Sequence, residues 1–185
     1  MTVSPIKMTA RQFLELGEDP PSVKLELVDG EVAVSPSPVP RHGYVVFRLA
    51  AILVEYVKQN SLGRVYPDID TILGTYDVRR PDILYFSKDR LHLIGEKAME
   101  GPPDLCVEVL SPSSGIIDRK DKFNQYEKAG VAHYWMVDPK GRTIEAFKLT
   151  RRQYEPSGQA EGDDNVALPP FAELKIPLGD LWQPE

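Results

Sequence analysis

Residues 105 to 110 read Leu-Cys-Val-Glu-Val-Leu, an apolar run of strand character with one carboxylate, Glu108, inside it. An ionised carboxylate left alone in a protein core costs several kcal/mol, so a chain keeps one there only beside a compensating group. An arginine or lysine, a set of backbone donors or a metal ion can serve. A second acid, Asp82, follows Pro81 and heads another apolar run, Ile83-Leu84-Tyr85-Phe86. Two acids on neighbouring core strands offer oxygen ligands to a hard divalent cation. Because side chains alternate along a strand, Cys106, Glu108 and Leu110 share one face, and Leu105, Val107 and Val109 the other.

The segments around these acids give an order of elements. Thr9 with Gln12 predicts a capping box opening a short helix to about Leu16, broken by the prolines before Ser22. Asp29-Gly30, between Lys24–Val28 and Glu31–Val34, predicts an N-terminal β-hairpin. Apolar residues at Val45, Val46, Leu49, Ile52, Leu53 and Tyr56 predict a long helix over His42–Gln59, with Gly63 as its stop. Strands are expected at Arg64–Tyr66, Thr71–Leu73, Ile83–Phe86 and Leu105–Leu110. A helix follows over about Ile117–Ala129, closed by Gly130. His133–Val137 and Thr143–Leu149 form a hairpin through Asp138-Pro139-Lys140-Gly141. Pro156–Asn165 reads as a loop, and Phe171–Trp182 as a last strand or turn. Strands interleaved with helices give one α/β domain over 1–185 with a mixed β-sheet.

Composition narrows the function classes. The single cysteine, Cys106, excludes an internal disulfide and points to a reducing, cytoplasmic setting. The first eight residues lack the apolar core of a secretory signal, and no apolar stretch approaches the roughly 20 residues that span a bilayer. A net charge of −6 argues against a non-specific DNA-coating protein, though not against an enzyme meeting DNA through a local basic patch. A Gly-x-Ser-x-Gly elbow, a His-Glu-x-x-His pair, a phosphate-cradling glycine loop and Cys-x-x-Cys are all absent from the sequence. Three scattered histidines argue against a zinc hydrolase.

The predicted helix after the Glu108 strand sets Asp118, Lys122 and Tyr126 on one face at spacings of four. Phe123 and Tyr126 would anchor it to the core, leaving Lys122 at the rim. Several pieces then match together: Glu26-Leu27-Val28-Asp29-Gly30-Glu31, Pro40-Arg41-His42, Arg80-Pro81-Asp82, Val107-Glu108-Val109-Leu110-Ser111-Pro112-Ser113, Asp118-Arg119-Lys120-Asp121-Lys122 with Tyr126, and Gly130-Val131 before Tyr134-Trp135-Met136-Val137-Asp138-Pro139. In this order and over most of the chain, they resemble the PD-(D/E)XK nuclease superfamily. More closely, they resemble the bacterial group called putative restriction endonucleases. One departure stands out. The family lysine falls two residues after the acid, where this chain has Leu110. Lys122 matches the variant in which that lysine has moved to the next helix, and Lys120 is its competitor.

The resemblance implies a restriction-endonuclease-like core, a mixed β-sheet flanked by helices, and a divalent-metal-dependent endonuclease acting on DNA. It implies Mg2+ or Mn2+ held by Asp82, Glu108 and the Val109 carbonyl, with Asp82, Glu108 and Lys122 catalytic. Glu31 and His42 are possible additions, and Arg79, Arg80, Arg119 and Lys120 the phosphate-backbone contacts. A homodimer follows for cutting both strands, with Leu181-Trp182 as one possible contact.

Each residue also has a plainer reading. Asp82 can be a turn residue, Glu108 half of a structural ion pair, and Lys122 the partner of Asp118 on the surface. Glu31 can be an ordinary hairpin residue and His42 a helix-start residue. Arg79-Arg80 can be solvated surface, while Tyr126, Tyr134 and Trp135 read as core. The competing function is a catalytically inactive nucleic-acid- or protein-binding module that keeps the fold.

Overall fold

The computed structural model describes residues 7–111 and 116–182, with side chains throughout except those of Pro36 and residues 116–119. The first helix, α1 (Ala10–Leu14), carries the reciprocal cap expected of Thr9 and Gln12. The Gln12 N–H donates to the Thr9 hydroxyl at 3.3 Å, and the Thr9 N–H donates to the Gln12 side chain at 2.9 Å. The hairpin follows as β1 (Val23–Val28) and β2 (Glu31–Pro36). Its turn residues Asp29 and Gly30 have φ of 50° and 83°, a left-handed pair that Asp-Gly adopts readily.

The long helix α2 (Pro40–Gln59) buries His42, Val45, Leu49, Leu53 and Val57 along one stripe. It stops at Asn60, before the expected glycine. Gly63 instead opens β3 (Gly63–Pro67), where a Cβ would lie 2.0 Å from the Phe86 carbonyl oxygen. A close strand approach, not a helix end, is what needs glycine there.

The chain continues through β4 (Thr71–Gly74), β5 (Asp77–Arg79), β6 (Ile83–Ser87), a short 3-10 turn (Lys88–Leu93), β7 (Leu105–Val109), α3 (Ile116–Ala129), β8 (His133–Asp138), β9 (Thr143–Thr150), β10 (Gln153–Glu161), β11 (Asn165–Leu168) and β12 (Phe171–Pro177). The main sheet has six strands in the order β10-β9-β8-β7-β6-β3. Its β7–β8 pair is parallel, with α3 in the connection, and its other pairs are antiparallel. The mixed sheet flanked by helices is therefore present. The hairpin belongs to a second sheet, β2-β1-β5-β4, and β11–β12 form a third.

Leu105, Val107 and Val109 of β7 join the core beneath α2, while Cys106 and Leu110 pack on the side of α3 with Phe123, Tyr126 and Tyr134. The alternation read from the sequence is the alternation of the fold.

Two expectations are corrected. The segment read as a loop over Pro156–Asn165 is largely β10, paired with β9 along its length and irregular between Pro156 and Gly158. It is polar because it is an edge strand open to water, and the irregularity tolerates proline. Leu181 and Trp182 are no exposed contact surface. They are 0% and 8% exposed, packed into the core on the α2 side, with the Trp182 indole N–H donating to the Gly162 carbonyl. Among the described residues no helix is long and apolar enough to cross a membrane.

Candidate active site

The pairing of β6 with β7 matches Ile83 to Val107, and one residue further that register sets Asp82 across from Glu108. Both acids line one cavity of about 550 Å³. Lys24 and Glu26 reach it from β1, His42 from the first turn of α2, and Lys122 from α3. Residues far apart in sequence thus converge because two sheets and two helices meet at the start of β6.

Asp82 is 8% exposed. Its Oδ2 accepts from the Val109 N–H at 2.7 Å and lies 3.1 Å from His42 Nε2. Its Oδ1 accepts no hydrogen bond from the described residues. Burial pushes the Asp82 carboxyl up, but the His42 hydrogen bond, the His42 and Lys24 charges and the Val109 N–H more than offset this and hold it below the usual aspartate value. His42 is itself 9% exposed, and its Nδ1 is buried without a partner among the described residues.

Glu108 is 4% exposed, and both its oxygens are engaged. The Tyr126 hydroxyl donates to Oε1 at 2.5 Å, and the Lys122 ammonium donates to Oε2 at 2.9 Å. Burial still drives this carboxyl above the usual glutamate range. Lys122 and Lys24 pull it down, while Asp82 and Glu26 push it up. The helix spacing of four delivers Lys122 and Tyr126 to the same acid, with Phe123 wedged among Tyr134, Phe147 and Tyr154 to hold α3 in place. Tyr126, read as core, is indeed fully buried, yet its hydroxyl belongs to the site. Sequence reasoning had one available signal for it, the i, i+4 relation to Lys122.

A third buried acid went unnoticed as a candidate. Glu26, 2% exposed, accepts from Arg79 Nη1 at 2.8 Å and from the Arg80 N–H at 2.9 Å. Burial raises its carboxyl, but Lys122, Arg79, Lys24 and the Arg80 N–H together bring it below the ordinary value. Glu31, the acid expected to add a third carboxylate, is exposed at the turn end of β2 and does not line the cavity, whereas Glu26 does.

Neither arginine is solvated surface, and Arg80 lines the cavity while engaged by acids. Arg79 is 4% exposed and also donates to Gln125. Arg80 donates to Asp70 at 2.8 Å and to Asp19 at 2.6 Å. Both arginines tie the hairpin sheet to its surroundings. Lys120 is exposed on α3, whereas Lys122 reaches Glu108, so the geometry favours Lys122 of the two. The side chains of Arg119 and Asp118 lie outside the described residues.

No cluster of three or more His, Cys, Asp or Glu side chains suited to a metal occurs among the described residues. The carboxylates of Asp82 and Glu108 line the cavity beside the Val109 main chain, an oxygen-rich donor set. That set fits a small hard cation that keeps several waters, such as Mg2+ or Mn2+, and does not suit zinc.

Comparisons with known proteins agree with this fold. A family model described as "Putative restriction endonuclease" matches residues 10–179. The crystal structure of a putative nuclease from Anabaena variabilis superposes with a TM-score of 0.77 at 24% identity, covering 96% of this chain and 98% of that one. No curated protein matches.

Proposed function

This chain belongs to the putative restriction endonuclease family, and we propose that its cleft hydrolyses phosphodiester bonds in DNA with the help of Mg2+ or Mn2+. The observation that carries the reading is the convergence of Asp82 and Glu108 in one cavity, with Lys122 2.9 Å from Glu108. Asp82, Glu108 and the Val109 carbonyl would hold the ion. Bound there, it would supply a nucleophilic water near neutral pH and offset the charge of the phosphate.

The protein's own groups do the rest. His42 and the Val109 N–H fix the orientation of Asp82, as Tyr126 fixes that of Glu108. The Lys122 ammonium sits where it can turn from Glu108 to negative charge developing on the phosphate. The N-terminus of α2, which has no side-chain cap, faces the same cavity through His42 and Gly43 and adds a positive end favourable to an anion. We place DNA as the substrate and infer a homodimer, since cutting both strands needs two such clefts. Light scattering that shows only monomer at micromolar concentration would remove the dimer.

The test is nicking of plasmid DNA with Mg2+ or Mn2+ by the wild type, Asp82→Ala and Glu108→Ala. Wild-type nicking with loss of at least about 100-fold in both variants is expected. Equal activity in all three would refute the assignment. Wild type that binds neither ion at millimolar concentration would instead support the inactive binding module, a reading favoured by the full occupation of the Glu108 oxygens by protein donors.

A further inference from the structure

The cleft holds a second lysine, and it comes from the hairpin rather than from α3. Lys24 lies on β1, and its side chain is only 19% exposed. Its ammonium donates to the Arg80 carbonyl at 2.6 Å and pairs with Asp68 at 2.9 Å. An ammonium has three donors, and among the described residues these two contacts account for two of them. The Asp68 carboxylate is itself 61% exposed, so water weakens its hold. Burial lowers the Lys24 pKa, yet Asp82, Glu108, Asp68 and Glu26 together raise it above the ordinary value, so the group stays charged in the cavity. Lys24 therefore lies within the field of both central acids without being the direct partner of either.

Holding the Arg80 carbonyl does not by itself require Lys24 to face the cavity with Asp82 and Glu108, and its pair with the exposed Asp68 gains little. A phosphodiester entering the cavity beside Asp82 and Glu108 brings negative charge that needs donors on more than one side. Lys122 stands on the α3 side and Lys24 on the hairpin side.

We propose that Lys24 is a substrate-binding residue, gripping a non-bridging oxygen of the DNA phosphate from the hairpin while Lys122 approaches from α3. The proposal rests on the phosphodiesterase reading above and adds a contact to it. No bond is made or broken at Lys24. Its contribution is positioning and charge, and it must also repel a cation held by the two acids.

That double role gives a signature which a purely structural lysine lacks. In Lys24→Gln, Mn2+ measured by calorimetry on the full chain should bind several-fold tighter. Binding of a duplex oligonucleotide, with Ca2+ replacing the active ion, should weaken about ten-fold. The plot of log K against log salt should flatten by about one unit, as for loss of one phosphate contact. Lys24→Arg should restore most of the DNA binding. If Lys24→Gln binds and nicks DNA within two-fold of wild type, or lowers the melting temperature without moving Mn2+ affinity or the salt slope, the proposal falls.

Should Lys24→Gln fail to fold, Asp68→Asn decides. It leaves the Lys24 charge in place and releases one of its donors, so DNA binding should hold or tighten, and weaker binding would overturn the idea. Failure of the underlying reading looks different. There the wild type itself neither binds Mn2+ nor nicks DNA, and the role given to Lys24 goes with it.

Discussion

Glu26 and Glu108 are two nearly fully buried glutamates in one cleft, and the protein treats them oppositely. Glu26, on the hairpin wall, has the Arg79 guanidinium, the Arg80 N–H and the fields of two lysines, and these outweigh its burial. Glu108, on the main sheet, has no guanidinium, only the Lys122 ammonium, the Tyr126 hydroxyl and the field of Lys24, set against Asp82 and Glu26, so its burial prevails. One acid is neutralised within the fold. For the other, burial outweighs the nearby cations, and under the proposed function a metal ion would supply the missing charge. Burial of a carboxylate is thus a poor guide to a site until the cations around it are counted.

The comparison breaks most sharply in stability. Glu26→Gln strands the buried Arg79 charge and should cost about 3–5 kcal/mol, read from denaturant melts of the metal-free protein. Glu108→Gln should stay within about 1 kcal/mol of wild type, because Lys122 retains the field of Glu26 and the repulsion of Glu108 by Asp82 is relieved. Equal large losses in both variants would mean that Glu108 is as structural as Glu26.

Next in size is the response to metal. Mn2+ at 100 times its dissociation constant should stabilise the wild type by about 2.7 kcal/mol, seen as a raised melting temperature. Glu108→Gln should abolish that rise. A rise that survives the substitution would place the ion elsewhere.

Tyr126→Phe comes third. It removes one donor from a buried carboxylate and should cost about 1–3 kcal/mol. If Tyr126 orients Glu108, nicking kcat should fall while KM for DNA stays near that of wild type. A change confined to melting temperature would return Tyr126 to the core.

The smallest effect is in pH, and there the two acids have opposite signs. Glu26 has a lowered folded pKa, so its stabilisation is complete above the ordinary glutamate value and is lost as pH falls through the folded one. Glu108 has a raised folded pKa, so between the ordinary value and the folded one the native state binds more protons than the unfolded chain. Stability then rises as pH falls through that window. The melting-temperature gap between wild type and Glu26→Gln should shrink on acidification. The value for wild type minus that for Glu108→Gln should grow. Slopes of the same sign would collapse the distinction between the two sites.

Features with a local physical cause could be read from the sequence. Asp29-Gly30 tolerates positive φ, Thr9 and Gln12 satisfy each other's backbone donors, and α2 buries a stripe set by a period of 3.6. The face occupied by Glu108 followed from strand alternation alone, and the Pro81-Asp82 start of β6 was equally plain. Beyond that range the signals were ambiguous for a reason. Lys24, Glu26 and Val28 form the alternate face of an amphipathic strand, which reads as the watery side of a hairpin. Only the fold turns Lys24 and Glu26 onto a cleft, and only the fold brings Arg79 to Glu26 across 53 positions. The same holds for the choice of Lys122 over Lys120, for the Tyr126 hydroxyl on Glu108 and for the burial of Trp182. A charge states what it needs, but its partner is set by packing between distant elements, and no local pattern encodes that distance.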